Sequence, residues 1–235
     1  MDINCDLGEG LDNDAKLMPF LDSCNIACGG HAGDEDSMRH TVRLAKIFKV
    51  KPGAHPSYPD TQHFGRKVID ISFQVLKAQV IHQVHRLSKI CEEEKYPLHH
   101  IKPHGALYNE LAKNYELALM FCDLMEENFP NYILYCPPHS IIEEIARQRG
   151  IRVMLEVFAD RNYNEDYSLV SRTLPDAVLT NKEEALVHVK RIVEEKRIKT
   201  LSGLFISIYA DTLCIHGDNP NALEILKLIR KSLTF

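Results

Sequence analysis

Residues 25–34 read Asn-Ile-Ala-Cys-Gly-Gly-His-Ala-Gly-Asp, and this stretch holds the clearest indication of the architecture. Its first four residues have the small and apolar composition of a buried strand. Asp34 is predicted as the N-cap of a helix over 35–48, so that only a glycine-rich turn separates strand from helix. A strand, a short turn and a helix in this order form the unit from which parallel sheets are built.

The same alternation recurs along the chain. Seven or eight such β/α alternations in 235 residues favour an α/β barrel, or a barrel-like closed sheet, over an open doubly wound sheet. No linker, repeat or low-complexity tract interrupts the pattern, so residues 1–235 are predicted to form a single domain. Strands are predicted at 1–5, 25–28, 51–55, 99–102, 132–136, 152–157, 177–179, 204–208 and 212–215, and helices at 35–48, 72–94, 115–128, 139–149, 182–197 and 220–233.

Two of the helices carry the strongest signals. Apolar residues recur three or four positions apart from Phe73 to Cys91, which is the stripe of a helix that packs against a core. For the last helix, Asn219 is predicted as the N-cap and Pro220 as the first helical residue.

The composition is that of a globular protein with a modest negative charge: 45% apolar residues, 26% charged residues and a net charge of −5. This charge argues against a broad nucleic-acid surface. There is no run of 18 apolar residues and the acidic start lacks a signal-peptide pattern, so neither a membrane span nor secretion is expected. The seven cysteines are irregularly spaced, and we expect reduced thiols in a cytoplasmic protein.

Polar and ionisable residues follow six of the predicted strands at the point where each strand ends. The carboxyl ends of parallel strands meet at one rim of a barrel, which is where enzymes of this architecture place their active sites. We therefore expect these side chains to lie together. The ionisable members are Asp6 and Glu9 after the first strand, His31 after the second, His55 at the third, Lys102 and His104 after the fourth, Asp160 and Arg161 after the sixth, and His216 after the last.

These residue types allow two kinds of chemistry. Imidazole and carboxylate groups are ligands for zinc or another divalent ion, and imidazole also exchanges protons near neutral pH. The sequence contains neither an HExxH motif nor paired CxxC motifs, so convergence on a metal does not follow from spacing. The alternative is a hydrogen-bonded network that only holds the loops. Lys102 and Arg161 could reach a carboxylate or a phosphate, or could lie at the surface.

The turn at residues 29–33 also has two interpretations. Its glycines would let backbone N–H groups approach an anion at a helix start, and they could equally serve the geometry of the turn alone. The spacing matches neither of the nucleotide-binding motifs GxxxxGK[ST] and GxGxxG. Residues 60–66, which include His63 and Arg66, are predicted to be a lid over the rim.

Several blocks in order along nearly the whole chain resemble the LamB/YcsF family. The chain has Gly30 where that family typically has an aromatic residue, and its loop after Glu9 is shorter than usual. The matching blocks are INCDLGE at 3–9, NIACGGHAGD at 25–34, GAHPSYPD at 53–60, FGR at 64–66, KPHGALYN at 102–109, EVFADR at 156–161 and HGD at 216–218.

The resemblance implies a fold, an activity and partners. The implied fold is a distorted, TIM-barrel-like β/α barrel of the glycoside hydrolase/deacetylase type, shared with metal-dependent polysaccharide deacetylases. The implied activity is the ATP-dependent opening of 5-oxo-L-proline, a five-membered lactam, to L-glutamate, together with 5-oxoprolinase subunits B and C. ATP could bind at the glycine-rich turn or at an interface with these partners, and a homo-oligomer is left open.

Roles for individual residues are hypotheses that rest on the resemblance. Asp6 or Glu9 would act as the base, Lys102 and Arg161 would bind a phosphate or carboxylate, and His104 or His216 would act as the acid. His31 and Asp160 complete the catalytic set. Residues of the turn, Gly29, Gly30, Gly33 and Asp34, are the candidates for ATP binding, and Asp6, His55 and His104 are the candidates for a divalent metal.

Two other functions stay open at this stage. One is a metal-dependent amidase or deacetylase that acts alone on a carbohydrate or another amide. The other is a non-catalytic subunit that only binds a small carboxylate and presents it to partners.

Overall fold

The computed structural model describes residues 1–233 and shows seven parallel strands closed into a barrel, in the order β1-β2-β3-β4-β5-β6-β9. This confirms the predicted α/β barrel. The last two residues of the predicted domain lie outside the described residues. The strands are β1 (Asp2–Leu7), β2 (Ser23–Ala27), β3 (Lys51–His55), β4 (His100–Ile101), β5 (Ile133–Cys136), β6 (Val153–Phe158) and β9 (Thr212–His216), with β7 (Arg197–Lys199) and β8 (Phe205–Ser207) outside the barrel.

Closure of the barrel depends on β9, which pairs in parallel with β1 on one side and with β6 on the other. This pairing sets Asp6 of β1 beside His216 of β9, and the pairing of β1 with β2 sets Asp6 beside Asn25. Every residue of β2 is buried, because a barrel strand is covered by the interior on one face and by helices on the other.

Helices follow the strands and form the outer layer. Asp34 is the N-cap of the helix Glu35–Phe48, as predicted. Its carboxylate accepts from the Ser37 N–H, and the Ser37 hydroxyl accepts from the Asp34 N–H, which is a capping box. The helices are α1 (Asp14–Leu17), α2 (Glu35–Phe48), α3 (Phe73–Glu93), α4 (Gly105–Leu111), α5 (Tyr115–Asn128), α6 (Ile141–Gln148), α7 (Lys182–Glu195) and α8 (Ala222–Ser232), with a short 3-10 helix at Met18–Phe20.

Residues 177–179 do not form the predicted strand. They lie in a loop, in which Val178 makes an isolated bridge with Arg161. The carbonyl of Ala177 accepts from the Arg161 guanidinium and from the Asn162 N–H, so these residues bond to the start of the same loop. Apolar composition indicated a strand here. Composition does not show whether a partner strand is available, and none of the barrel strands pairs with these residues.

The segment at 204–208 does not join the barrel. It contains β8, which is a strand as predicted but pairs antiparallel with β7. The predicted helix at 182–197 ends early, because Lys196 adopts a left-handed conformation with φ 53°. The chain reverses at that residue and enters β7.

The last helix begins two residues later than predicted. Asn221, rather than Asn219, is the N-cap of α8. The side-chain amide of Asn219 donates to Asp160 and to the carbonyl of Leu179, and its oxygen accepts from the N–H of Asn221. The prediction of Asn219 as the cap was wrong, because this side chain joins two strand-end loops.

The barrel interior is polar and supports the carboxylates at one end. Asn25 donates to Asn4 and Asp6, both at 2.8 Å, and its oxygen accepts from His100 at 2.7 Å. Asn4 donates in turn to Glu156 at 3.0 Å. Because these amides are bound on several sides, they fix where the two carboxylates point.

Two further observations concern the described residues as a whole. Among residues 1–233, none of the helices combines the length and the apolar character needed to cross a membrane. All seven cysteines are buried and unpaired.

Candidate active site

The candidate site lies at the end of the barrel where the parallel strands finish, which we call the mouth. The structure brings together at the mouth most of the side chains that the sequence predicted there. They are Asp6 on β1, Glu9 and His31 in the loops after β1 and β2, His55 on β3, Lys102 and His104 after β4, and His216 on β9 with its partner Asp160 after β6.

Lys102 is the cation of the mouth and is only 2% exposed. Its Nζ lies 2.8 Å from Asp6 Oδ1, 3.0 Å from Glu156 Oε1 and 3.1 Å from Cys214 Sγ. Burial acts to lower the pKa of Lys102, but the neighbouring Asp6, Cys214 and Glu156 outweigh it, and the pKa lies well above its usual value. An ammonium has three protons to donate, and these three contacts use them all.

Asp6 is held as an ionised carboxylate. Its Oδ1 accepts from Lys102 and Asn25, and its Oδ2 lies 3.3 Å from His55 Nε2. Burial acts to raise the pKa of Asp6, but His55 and Lys102 outweigh it and hold the pKa well below its usual range. A carboxylate with so low a pKa is a weak base.

The proton positions on His55 and His104 follow from their partners. His55 Nδ1 lies 2.7 Å from the carbonyl of Lys102, and His104 Nε2 lies 3.0 Å from the carbonyl of Phe64. A carbonyl oxygen can only accept, so each of these nitrogens carries a proton. The remaining nitrogens, His55 Nε2 and His104 Nδ1, face each other at 2.9 Å.

His31 and Glu9 complete this cluster from the other side. The His31 ring stacks on the His104 ring at 3.7 Å, and its Nε2 lies 3.1 Å from Glu9 Oε1. The other ring nitrogen, His31 Nδ1, is buried without a hydrogen-bond partner. Burial lowers the pKa of His31 and, more strongly, that of His104, so both rings are neutral near pH 7.

The loop at 60–66, predicted as a lid, covers the histidines. Phe64 has a left-handed backbone with φ 56°, and its ring contacts His31 and His104 edge-on at 5.1 and 5.6 Å. Gly65 packs so closely that an added Cβ would lie 3.0 Å from atoms of both histidines. This packing holds the strained backbone of Phe64, so that its carbonyl oxygen accepts from His104 Nε2.

The donor set fits a divalent cation. One atom each of Glu9, His31, His55 and His104 lies within 4.8 Å of the others. His55 Nε2 and His104 Nδ1 face each other at hydrogen-bond distance, and a shared proton or a metal ion between them would satisfy both nitrogens. Three imidazoles and one carboxylate are a ligand set typical of zinc and similar ions. Of the predicted metal ligands, His55 and His104 belong to this group, and Asp6 lies beside it.

The pair of Asp160 and His216 forms a second acid–base unit. His216 Nδ1 donates to Asp160 Oδ1 at 2.9 Å, and Asn219 donates to Asp160 Oδ2 at 3.0 Å. Burial acts to raise the pKa of Asp160, but His216 and the hydrogen bonds of His216 and Asn219 outweigh it and lower that pKa. A histidine held in this way presents Nε2 as its basic nitrogen. The ring also stacks on Phe158 at 5.1 Å.

Arg161 lies apart from the cluster. Its guanidinium donates to the carbonyls of Ala177 and Val170, at 3.2 and 2.5 Å, and the residue is 6% exposed. Burial is the main cause that lowers the pKa of Arg161 to about 10. These contacts anchor the long loop after β6.

The glycine-rich turn packs against the chain itself. A Cβ on Gly30 would lie 2.3 Å from the side chain of Gln83, and one on Gly33 would lie 2.5 Å from the carbonyl of Ala27. Gly29 N–H bonds within the turn, to the carbonyl of Ala32. These contacts explain why glycines are needed at this turn. The binding of an anion by the turn stays a prediction.

Several residues of the mouth have roles that the sequence did not indicate. Glu156 belongs to one of the family-like blocks, but only barrel closure shows that it contacts Lys102. Phe64 acts through its carbonyl oxygen, which no residue-type pattern indicates. Arg66 and Arg172 lie at the outer rim and both contact Asp218, and Arg172 falls outside every family-like block.

Comparisons with known proteins agree over the full length. A model of the LamB/YcsF family matches residues 1–235. Proteins named as the A subunit of 5-oxoprolinase, from Thermococcus sibiricus and Pyrococcus abyssi, are each 42% identical over 238 residues, covering 99% of this chain and 93% of theirs. The crystal structure of a lactam utilization protein from Thermus thermophilus is 37% identical, with a TM-score of 0.91 over 98% of this chain and 94% of that one. The chain belongs to the LamB/YcsF family.

Proposed function

We propose that this chain is the A subunit of an ATP-dependent 5-oxoprolinase and works with subunits B and C to open 5-oxo-L-proline to L-glutamate. The names of its relatives support the reaction. The observation that carries the proposal is the mouth itself, where His216 with Asp160 stands beside a cluster of three histidines and Glu9. Amide opening needs groups that move protons and groups that stabilise negative charge.

The reaction needs ATP because a lactam amide is a poor electrophile. Transfer of the γ-phosphoryl group to the lactam oxygen gives ADP and an activated ring carbon. Water adds to that carbon, the carbon–nitrogen bond breaks as the nitrogen takes a proton, and an acyl phosphate is left. A second water releases phosphate and leaves the new carboxylate of glutamate.

His216 is the residue that fits both proton transfers. Its Nε2 is the basic nitrogen, so it can take a proton from the attacking water and return that proton to the leaving ring nitrogen. Asp160 holds the ring and stabilises its charged form. Asp6 is unsuited to be the base because its pKa lies well below the usual range. Lys102 and Asp6 are positioning residues for the histidine cluster.

A divalent ion, when bound by Glu9, His31, His55 and His104, would stabilise negative charge on oxygen and lower the pKa of water. The chain's own contribution is to hold these donors: carbonyl oxygens orient two of the rings, and Asp14 accepts from the Gly8 N–H at 2.8 Å beside Glu9. We assign ATP to an interface with the partner subunits, because the glycine-rich turn is packed by contacts within the chain.

The test is glutamate release from 5-oxoproline, with and without ATP, by the chain alone and mixed with subunits B and C. We expect release only in the mixture and only with ATP. The His216→Gln variant should lower turnover about 100-fold or more, since general acid–base catalysis contributes at least that much. His82→Gln, which changes an exposed histidine of α3, should leave turnover unchanged.

Other results would support the other functions. ATP-independent hydrolysis of an acetylated sugar or simple amide by the chain alone would favour the amidase or deacetylase. Binding of 5-oxoproline without turnover in any mixture would favour the non-catalytic binding protein. Full turnover by His216→Gln would contradict the assignment of the acid–base residue.

A further inference from the structure

The two cations that the sequence suggested for anion binding are already occupied by the protein itself. Lys102 directs its three donor protons at Asp6, Glu156 and Cys214. Arg161 is buried and bound to loop carbonyls. Lys102 therefore has no proton left to donate to the carboxylate or phosphoryl group of a small substrate, and Arg161 directs its Nε and Nη2 into the loop after β6.

Two other arginines lie at the outer rim of the mouth. Arg66 Nη2 lies 2.6 Å from Asp218 Oδ2, and Arg172 Nη1 lies 2.9 Å from the same oxygen. Arg66 comes from the loop at 60–66, whereas Arg172 comes from the loop after β6 that Arg161 anchors. Two guanidinium groups from separate loops therefore meet at one carboxylate, with one positive charge in excess.

This cluster is joined to the reacting end of the barrel on both sides. Asp218 follows His216 by two residues. Arg66 follows Gly65, which packs on His31 and His104. The guanidinium of Arg66 lies 4.9 Å from the centre of the Phe64 ring. The side chains of Arg66 and Arg172 are 41% and 29% exposed, so solvent reaches both groups.

The charge of the mouth favours a cationic rim for an anionic substrate. The carboxylates of Asp6, Glu9, Glu156 and Asp160 are at most 6% exposed, and like charges repel an approaching carboxylate or phosphate. Guanidinium groups bind both kinds of oxyanion in paired hydrogen bonds. The carboxylate of Asp218 occupies the position that such an anion would take.

We propose that Arg66 and Arg172 form a subsite for the anionic oxygens of a small substrate, and that Asp218 fills it in the ligand-free protein. The inference rests on the proposed function for the choice of anions. These are the carboxylate of the lactam and the phosphoryl group of ATP, which share the same chemistry.

The test measures binding of 5-oxoproline, ATP and inorganic phosphate by calorimetry, to the chain and to its mixture with subunits B and C. The uncharged lactam 2-pyrrolidinone is the probe without a carboxylate. Arg66→Gln and Arg172→Gln should each weaken anion binding about tenfold, which corresponds to about 1.4 kcal/mol. Asp218→Asn should tighten it, because the competing carboxylate is removed.

The affected ligand identifies the anion: loss of 5-oxoproline binding alone assigns the carboxylate, and loss of ATP and phosphate binding assigns the phosphoryl group. Arg149→Gln is the matched control, since Arg149 also contacts two acids, Asp123 and Glu126, but on the outer helices. Binding of every anion as in the wild type by both arginine variants overturns the subsite. The subsite is also overturned if the wild-type protein binds none of the anions, or if Asp218→Asn weakens anion binding as much as the arginine variants do.

Because binding is measured directly, this test does not depend on turnover. If anions bind through the two arginines but no mixture releases glutamate, the subsite stands and the proposed function fails. If glutamate is released and the arginine variants behave as wild type, the proposed function stands and the subsite fails.

Discussion

At the scale of single residues, two backbone carbonyl oxygens determine how the central histidines can act. The carbonyl of Lys102 fixes the proton of His55, and that of Phe64 fixes the proton of His104. The sequence could predict that imidazoles meet at the mouth. It could not predict which nitrogens carry protons, because the acceptors are main-chain atoms, one of which belongs to a left-handed residue in a loop.

Lys102 gives a stability prediction at the same scale. Lys102→Met leaves Asp6 and Glu156 buried without their cation, and removal of one partner from a buried ion pair costs about 3–5 kcal/mol. Lys77→Met removes an exposed pair with Glu127 and should cost less than about 1 kcal/mol. Urea unfolding of the two variants checks this, and equal losses would contradict the role given to Lys102.

At the scale of elements, α7 is fastened to the end of β6 by one buried histidine. His188 Nε2 donates to the carbonyl of Phe158 at 3.1 Å, and burial lowers the pKa of His188 to about 4. The helix itself was predictable from its pattern. The helix ends at Lys196, and the chain then forms a short antiparallel hairpin of β7 and β8. Apolar composition indicates the strand at β8, but it does not show that β8 pairs with β7 rather than with a barrel strand.

This histidine makes folding sensitive to acid. Its pKa is about 4 in the folded protein and about 6.5 when unfolded, so between these values the unfolded chain binds more protons. The contribution of His188 to stability is therefore complete above pH 6.5 and falls as the pH drops toward 4, by up to about 1.4 kcal/mol per pH unit. Unfolding measured from about pH 7 to about pH 4.5 should show a shallower loss for His188→Gln than for wild type. Equal pH slopes would contradict the prediction, and His82→Gln is the control.

The start of α2 gives a second prediction at this scale. Asp34→Ala removes the capping oxygen from the Ser37 N–H and should lower the free energy of unfolding by about 1 kcal/mol. Asp36→Ala, two residues further on and outside the capping box, should cost less. If Asp34→Ala instead weakens ATP binding without a loss of stability, the nucleotide role predicted for Asp34 would be supported over the capping role.

At the scale of the whole molecule, closure of the barrel converts residues far apart in sequence into one site. Asp6, His55, His104 and His216 could be predicted to share a rim because each lies at or just after the end of a strand. The sequence did not show that Arg161 would turn away into a loop, because that depends on how the loops close around the mouth.

The mouth as a whole concentrates negative charge. The carboxylates of Asp6 and Glu156 contact the ammonium of Lys102, and Glu9 contacts His31 nearby. Each of these acidic side chains is at most 6% exposed. Such an excess in a buried site favours a bound cation. Together with the facing nitrogens of His55 and His104, this charge supports the divalent ion that we propose for this site.

The most direct measurement is a calorimetric titration of the chelator-treated protein with zinc and with manganese. We predict a single site per chain, lost in His104→Gln and retained in His82→Gln. We also predict that the assembled enzyme releases glutamate only when that site is filled. Failure of both ions to bind wild type, or equal binding by His104→Gln, would show that a shared proton rather than a metal lies between the two histidines.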